Sequence, residues 1–417
     1  MSAQRGRIPV LKILIVHNKY QLAGGEDAVV RQETAMLRDA GEEVYLFEVD
    51  NHGIHGISAK IRTAAQLSYS WQMRSRLSRL IAELSPDIVH IHNFFPKISP
   101  SVYDACADHN CPTIQTLHNY RLLCSNAQLY RDGKVCHDCL KPNLISPAIL
   151  HGCYRGSKVG SASVAAMIAF HKLRGTWNKR VHKYIVLTEF ARDIITENLK
   201  IAPQKLIVKP NAATDRGVGA GGGGYLLYVG RLSAEKGIST LLEATRLGLP
   251  LPLKVAGTGP LLPEVQAAHA AGHLTLLGEQ PADKIHALMK EAEALIIPSL
   301  WYEGLPMVVP EAFSTGLPII ASRIGSLSTL IVNDVNGIHF EAGNIGEIKT
   351  SIERFISNPQ LKASLRTGAR RSYERYYRPE SNLALLQSIY RAAIAEVNPL
   401  RYIESASKTV ATNLRDA

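Results

Sequence analysis

Short apolar runs alternate with longer amphipathic stretches along most of the chain. The first run, at 11–16, has the length of a buried strand, and a helical pattern follows it from Glu26 to a stop at Gly41. Further strand-like runs in the first half lie at 43–47, 87–91, 113–117 and 184–187. Strands that alternate with helices in this way predict βαβ units and a parallel sheet.

The pattern is interrupted by a glycine-rich stretch at 214–224 and then resumes, with strand-like runs at 225–229, 253–256, 274–277, 294–297 and 318–321. A chain of 417 residues is too long for one ordinary core. We therefore expect an α/β protein of two doubly wound, Rossmann-like domains that face each other across a cleft. The predicted units are an N-terminal domain at 1–205, a flexible glycine-rich linker at 206–224, a C-terminal domain at 225–378, a C-terminal helix at 379–397 and a tail at 398–417.

Two cationic side chains follow the first strand-like run of the second half, in the sequence GRLSAEKG at 230–237. Domains of this type bind anionic ligands at the carboxyl ends of their strands, so Arg231 and Lys236 are candidates for holding a diphosphate. The sequence has no Asp-x-Asp pair, and we expect the two cations to replace a catalytic metal. The alternative is an ordinary pair of surface charges.

Two glutamates flank a turn in the stretch EGLPMVVPE, at Glu303 and Glu311. The backbone amides after Gly304 and Leu305 can face an anion at the start of a helix. Glu311 lies about two turns further on and near the same face, so one carboxylate can bind sugar hydroxyls while the other binds a ribose. Acidic residues that only begin a helix are the alternative interpretation.

Three strand-like runs of the N-terminal half end in His-Asn, at His17, His92 and His118. Their positions predict a polar site at the edge of the sheet, although a single buried histidine is more often structural. Gly25 precedes a helix, where the backbone can approach a phosphate without a Cβ in the way, but it also suits an ordinary loop. The stretch AGTGP around Gly257 lacks the third glycine of a dinucleotide fingerprint, which argues against a nicotinamide cofactor.

Four of the six cysteines, Cys124, Cys136, Cys139 and Cys153, are close together in the sequence with the spacing C-x11-C-x2-C-x13-C. A Cys-x2-Cys pair with two outer thiols can form a structural zinc site. Free thiols in a loop, or disulfides in an oxidising compartment, are the alternatives. Cys106 and Cys111 fall outside the spacing and are expected to be ordinary residues.

The net charge of +11 is concentrated in the first half, where 26 Lys and Arg face 17 Asp and Glu. The stretches 51–82 and 140–188 contain no acidic residue. The positive potential of such stretches attracts anionic partners, and we expect an anionic membrane surface rather than nucleic acid. An ordinary solvated basic surface is the alternative. The first apolar run is too short for a signal peptide, so we expect a cytoplasmic protein, associated at most peripherally with the inner face of the membrane.

These motifs occur in the order found in retaining glycosyltransferase family 4, and the chain resembles that family from Leu11 to about Tyr377. The resemblance implies the GT-B fold, in which two Rossmann-like domains enclose a nucleotide-sugar donor. It implies donor-binding or catalytic roles for Gly25, His118, Arg231, Lys236, Gly257, Gly278, Glu303, Gly304, Leu305 and Glu311. Among these, Gly278 matches the position that holds the base through its backbone, and His118 the histidine near the reacting centre.

The function that this resemblance implies is hexosyl transfer with retention, from a UDP- or GDP-sugar to a glycan or a lipid-linked acceptor. The expected role is in the synthesis of bacterial surface polysaccharide. Two alternatives remain at this point: a nucleotide-sugar epimerase of the same fold, and a protein that binds a nucleotide-sugar without catalysis. The four-cysteine segment is not explained by the resemblance.

Overall fold

A computed structural model describes residues 10–19, 25–51, 56–140 and 146–399. Two parallel sheets form the framework, with the strand orders β2-β1-β3-β4-β7-β8 and β11-β10-β9-β12-β13-β14 and helices on both faces. The expectation of two doubly wound α/β domains is confirmed. Within the described residues, no helix combines the length and the apolar character needed to cross a membrane.

The inner strands of the first sheet are buried, as their continuous apolar runs predict, whereas the edge strand β2 is mostly accessible to solvent. The strands of this half are β1 (Lys12–Asn18), β2 (Glu43–Val49), β3 (Ile88–Asn93), β4 (Thr113–Leu117), β5 (Tyr130–Arg131), β6 (Lys134–Val135), β7 (Lys183–Val186) and β8 (Leu206–Val208). The helices are α1 (Gly25–Asp39), α2 (Gly56–Gln66), α3 (Trp71–Leu84), α4 (Ser101–Asp108), α5 (Ser146–Leu150), α6 (Lys158–Arg174), α7 (Thr176–Lys179) and α8 (Glu189–Leu199). Strand β8 pairs with β7, so the first sheet includes residues expected in the linker.

The second sheet repeats the arrangement. Its strands are β9 (Leu226–Val229), β10 (Leu253–Ala256), β11 (Thr275–Gly278), β12 (Ala294–Ile297), β13 (Ile319–Ser322) and β14 (Gly337–Phe340). Its helices are α9 (Ile238–Arg246), α10 (Leu262–Ala270), α11 (Ala282–Glu291), α12 (Val308–Ser314), α13 (Leu327–Leu330), α14 (Ile345–Ser357) and α15 (Pro359–Tyr376). The strand order reverses between β1 and β3 in the first sheet and between β9 and β12 in the second, and crevices for ligands open at such switch points.

The last helix, α16 (Pro379–Val397), follows the second sheet in sequence but packs on the first one. Leu386, Ile389 and Tyr390 are buried against residues of β1, β3 and β4. The Tyr390 hydroxyl lies 2.8 Å from Nδ1 of His90 in β3. The C-terminal helix therefore ties the two domains together on the side of the N-terminal sheet.

The glycine-rich stretch at 214–224 differs from the flexible linker that its composition predicts. The amides of Gly219, Gly221 and Gly223 each donate a hydrogen bond of 2.9 Å to a carbonyl oxygen of the second domain. A Cβ on Gly219 would lie 2.3 Å from the carbonyl oxygen of Lys290. These glycines allow the backbone to run in close contact with the domain, because any side chain at Gly219 would separate the two segments.

Candidate active site

An ion pair between Lys236 and Glu303 lies where the second domain faces the first. The Lys236 ammonium is 2.8 Å from Oε1 and 2.9 Å from Oε2 of Glu303, and the Ser299 hydroxyl donates to Oε1 at 2.7 Å. The Glu303 side chain is buried, so a carboxylate there requires these donors. The pair keeps a fixed negative and a fixed positive charge side by side in the cleft.

Local backbone geometry brings Lys236 to this position. The residue ends a 3₁₀ turn, Ala234–Lys236, that follows β9, and Gly237 then adopts a φ of 72°. A Cβ on Gly237 would lie 1.7 Å from the carbonyl oxygen of Pro298, the residue after β12. Only glycine permits this contact between the loops that follow the two strands at the switch point.

The turn at Glu303 and Gly304 contacts the N-terminal domain directly. The Tyr120 hydroxyl donates to the Glu303 carbonyl oxygen at 3.2 Å, and the Ser326 hydroxyl donates to the same oxygen at 2.8 Å. Thr188, at the start of α8, is 2.9 Å from Ser326 through the two hydroxyls. Both domains therefore share the polar contacts that hold the Glu303 backbone in place.

A chain of buried polar groups extends from His118 into the N-terminal domain. Nε2 of His118 is 3.0 Å from Nδ1 of His92, and Nε2 of His92 is 3.4 Å from a carboxylate oxygen of Glu33. The other oxygen of Glu33 accepts from the ammonium of Lys209 at 2.5 Å. The sequence indicated His92 and His118 but neither Glu33 nor Lys209, which lie 176 positions apart.

Burial and neighbouring charges determine the protonation of His118 and Glu33. It lowers the pKa of His118 to about 3, against the opposing effect of Glu33, so the imidazole is neutral across the ordinary pH range. Burial would raise the pKa of Glu33, but Lys209 and His92 outweigh it and lower that pKa below its usual value. His118 can therefore accept or donate a hydrogen bond in the cleft as a neutral group.

Glu311 lies on α12, mostly shielded from water. Burial raises its pKa to about 7, and Arg216 opposes this shift. Arg216 belongs to the glycine-rich stretch, so that stretch contributes a cation near a predicted binding residue. A carboxyl that titrates near neutral pH can change its hydrogen bonding within the working range of an enzyme.

The remaining predicted donor-site residues lie around the second switch point or on α1. The Gly257 amide donates to the carbonyl oxygen of Gly278 at 2.8 Å, and a Cβ on Gly257, whose φ is 145°, would lie 1.9 Å from the Gly230 carbonyl oxygen. Arg231 is exposed, and its guanidinium has no ion-pair partner among the described residues. Leu305 is buried.

Gly25 begins α1, and no atom of the described residues lies within 4 Å of the position where its Cβ would be. The role predicted for Gly25 near a phosphate stays a prediction. Its neighbour Gly24, which shares the predicted loop, lies outside the described residues.

A compact group of three potential metal ligands, Glu33, His90 and His92, occurs in the described part of the chain, with ligand atoms within 4.8 Å of one another. Both nitrogens of His90 already have partners, the Tyr390 hydroxyl at 2.8 Å and the Thr116 hydroxyl at 2.7 Å. Lys209 supplies the positive charge that Glu33 needs. His90 is thus fully hydrogen-bonded, whereas Nε2 of His92 and Oε2 of Glu33, which lie 3.4 Å apart, have no hydrogen-bond partner among the described residues.

Comparisons with known proteins agree with this fold. Residues 23–214 match the family Glycosyltransferase Family 4, and residues 217–372 match Glycosyl transferases group 1. Each match covers less than half of the chain, but the two adjoin and divide it between the two sheets. The HepE protein of Anabaena, solved in complex with UDP, has the same fold, with a TM-score of 0.64 at 15% identity over 91% of this chain and 99% of HepE.

Three curated relatives are similar over shorter stretches. An uncharacterised glycosyltransferase of Methanocaldococcus jannaschii is 24% identical over 44% of this chain and 52% of its own length. The alpha-D-kanosaminyltransferase of Streptomyces kanamyceticus is 28% identical over 34% of this chain and 39% of its own. An uncharacterised protein in the cps region of Klebsiella pneumoniae is 23% identical over 63% of this chain and 64% of its own. The matched part is 39% to 64% of the length of each relative.

The chain has two doubly wound parallel sheets, and its last helix follows the second sheet in sequence but packs on the first. These features define the GT-B fold. Both halves of the chain match family models of glycosyltransferases, and its fold is of the GT-B type.

Proposed function

We propose that this chain is a retaining hexosyltransferase of glycosyltransferase family 4, which uses a UDP- or GDP-sugar and acts in the synthesis of bacterial surface polysaccharide. The observation that carries the proposal is the Lys236–Glu303 pair, which the cleft holds beside the backbone of His118. HepE, which has this fold, binds UDP, and one relative lies in a cps region, which fits the proposed role.

The second domain holds the donor in this proposal. Glu303 accepts hydrogen bonds from the sugar hydroxyls, while Glu311 binds the ribose. Arg231 and Lys236 bind the diphosphate. Arg231 is exposed and has no ion-pair partner among the described residues, and the three N–H donors of Lys236 can serve both Glu303 and the diphosphate. The backbones around Gly257 and Gly278 border the base, and the amides after Gly304 and Leu305 face the phosphate together with Gly25.

The reaction breaks the bond between the anomeric carbon and the β-phosphate oxygen, and it forms a bond from that carbon to the acceptor oxygen on the same face. The acceptor hydroxyl gives its proton to the departing phosphate, and the nucleoside diphosphate leaves. Arg231 and Lys236 stabilise the negative charge that develops on the leaving group. Neutral His118 positions the sugar through hydrogen bonding and does not carry a charge to the reaction.

The N-terminal domain takes the acceptor, a glycan or a lipid-linked sugar, at an anionic membrane surface. Exposed apolar side chains on this domain include Trp71 at the start of α3 and Phe170 and Leu173 near the end of α6. The Arg174 guanidinium lies 5.7 Å from the ring of Tyr69, which contacts the Trp71 ring at 4.8 Å. Arg174, which also pairs with Asp104 at 2.8 Å, thus lies beside exposed apolar groups, a combination that proteins use to bind anionic lipid.

The decisive experiment measures products from a panel of UDP- and GDP-sugars, with and without polysaccharide precursors linked to a polyprenyl lipid. We expect transfer to the acceptor with the anomeric configuration of the donor retained, by nuclear magnetic resonance of the product. An inverted product would contradict retention. A changed sugar nucleotide without acceptor would indicate an epimerase, and tight binding without turnover of any donor would indicate a binding protein.

The chemistry is proposed to proceed without a catalytic metal, because two cationic side chains follow β9 and the sequence has no Asp-x-Asp pair. Transfer should continue after prolonged treatment with EDTA. A complete loss of activity that Mg²⁺ restores would show that Arg231 and Lys236 do not neutralise the leaving group alone.

A further inference from the structure

Four cysteines line one small cavity in the insertion, the segment 118–182 between β4 and β7. Cys136 and Cys139 come directly after the β5–β6 hairpin, whose turn residues Asp132 and Gly133 have φ values of 53° and 78°. Cys124 precedes the hairpin and Cys153 follows α5. The hairpin reverses the chain, so that residues 29 positions apart in the sequence reach the same cavity.

Backbone hydrogen bonds hold each segment in place. The Cys124 amide donates to the Tyr120 carbonyl oxygen at 2.9 Å, the Cys136 amide to Leu129 at 2.8 Å, and the Cys153 amide to Ala148 at 3.0 Å. All four cysteines are free thiols. These three hydrogen bonds fix the backbone at Cys124, Cys136 and Cys153.

The sulfur atoms are more loosely grouped than in a closed metal site. Among the described residues, these thiols do not form a group of three potential ligand atoms that all lie within 4.8 Å of one another. The Cys124 thiol instead donates to Oδ1 of Asn126 at 2.8 Å. Cys124 is buried, and Cys136, Cys139 and Cys153 are half-buried, so all four thiols are largely shielded from bulk water around the same cavity. A metal ion that binds thiols displaces their protons.

We propose that Cys124, Cys136, Cys139 and Cys153 bind one Zn²⁺ ion as a structural site. Four thiolates at about 2.3 Å from the ion form the tetrahedral set that zinc prefers, and rotation of the cysteine side chains into the cavity would close it. Binding releases the four thiol protons and leaves a site with two net negative charges. The cavity is also lined by Arg131, whose guanidinium lies beside Cys153 and offsets part of this charge.

The ion would clamp the part of the insertion that contacts the second domain. His137 lies between two of the ligands in sequence, and its ring centroid is 5.6 Å from that of Tyr302. Tyr120 precedes another ligand and donates to the carbonyl oxygen of Glu303. A zinc site would therefore fix the loop that borders the cleft, and this inference does not depend on the identity of the donor or acceptor.

The test is the zinc content of full-length protein purified without a metal-affinity column or added metal. We expect one zinc per chain by plasma mass spectrometry, and its release as a mercurial reagent modifies the thiols of the wild-type protein. Cys136→Ser and Cys139→Ser should each lose the metal, whereas Cys111→Ser, outside the cavity, should keep it. The wild-type measurement remains decisive if the cavity variants do not fold.

Two results would overturn the proposal. One is wild-type protein that contains no zinc and takes none up from a zinc solution while all six thiols remain free under denaturing conditions. The other is a disulfide between any two of the four cysteines in protein isolated without oxidant, detected as a pair of linked peptides by mass spectrometry.

Discussion

The carbonyl oxygen of His118 lies directly against the backbone of Gly304: a Cβ on Gly304 would be 2.6 Å from that oxygen. His118 follows β4 in the first sheet, and Gly304 lies in the loop between β12 and α12 of the second. Real Cβ atoms do not approach an oxygen so closely, so any other residue at 304 would push the two domains apart at this point. Glycine is required here by a contact between domains rather than by a turn.

The first prediction follows from that contact. Gly304→Ala should lower kcat by about 10²-fold, because a displacement of about 1 Å misplaces the groups on the two sides of the cleft. The melting temperature should change little, since both cores remain intact. Gly346→Ala is a matched control, as the nearest atom to its new Cβ would be 3.6 Å away. Equal activity of the two variants would show that the contact does not set the geometry of the site.

The charged pair in the cleft gives the second prediction. Glu303→Gln should lower kcat by about 10²–10³-fold without weakening UDP binding, since it alters contacts to the sugar and leaves the ammonium of Lys236, its ion-pair partner, to the diphosphate. Arg231→Ala and Lys236→Ala should weaken UDP binding and lower kcat together. Lys284→Ala, an exposed lysine on α11, serves as the control for loss of one positive charge. Rates near those of the wild type in all three site variants would contradict the donor assignment.

The strands were predictable because most of them are continuous apolar runs between polar loops. The first sheet's β8 was missed since its three residues, Leu206–Val208, are too short to show a periodicity. The glycine-rich stretch was misread as flexible because composition does not reveal that a backbone is in close contact with a neighbouring domain. That contact is visible only in the hydrogen bonds from Gly219, Gly221 and Gly223.

The site was predictable as a set of residue types but not as a set of pairs. Lys236 was expected to hold a diphosphate together with Arg231, and the sequence did not reveal that it also pairs with Glu303, 67 positions away. Pairing over such a distance depends on tertiary packing. Glu33 did carry a signal in the sequence: it lies on the apolar face of α1 with Val29, Val30 and Leu37, where an acidic residue needs a buried partner.

The third prediction concerns pH. Burial raises the pKa of Glu311 to about 7, so the carboxyl gains a proton below that pH and ionises above it. The ionised form accepts hydrogen bonds from both ribose hydroxyls, and UDP affinity should therefore increase severalfold as the pH rises through 7. Calorimetric Kd values should show this dependence in the wild type and lose it in Glu311→Gln. The same pH profile in both proteins would assign the dependence to UDP itself.

The fourth prediction concerns the buried pair of Glu33 and Lys209. Glu33→Gln should lower the free energy of unfolding by about 3–5 kcal/mol, because it leaves the Lys209 ammonium buried without a counter-charge. Glu33→Gln combined with Lys209→Met should recover much of the loss in urea unfolding experiments. A double variant as unstable as the single one would contradict the explanation by charge.

The sign of the pH effect on this pair follows from the lowered pKa of Glu33. A carboxyl whose pKa is lower in the folded than in the unfolded protein stabilises the fold at pH values above its pKa in the unfolded protein. That contribution is lost as the pH falls through its pKa in the folded protein. The difference in stability between the wild type and the double variant should therefore diminish on the acidic side.

The last prediction tests the proposed membrane surface. Full-length protein should sediment with vesicles that contain phosphatidylglycerol and not with vesicles of phosphatidylcholine alone, and added salt should weaken the binding because each Lys or Arg near the surface contributes about 1 kcal/mol. Phe170→Ser combined with Leu173→Ser should reduce binding, since both side chains are exposed on α6, 45% and 88% respectively. Val332→Ser, at an apolar residue of the second domain that is 50% exposed, is the matched control. Binding that is equal for both kinds of vesicle at low salt, or unchanged in the α6 variant, would show that this surface does not recognise anionic lipid.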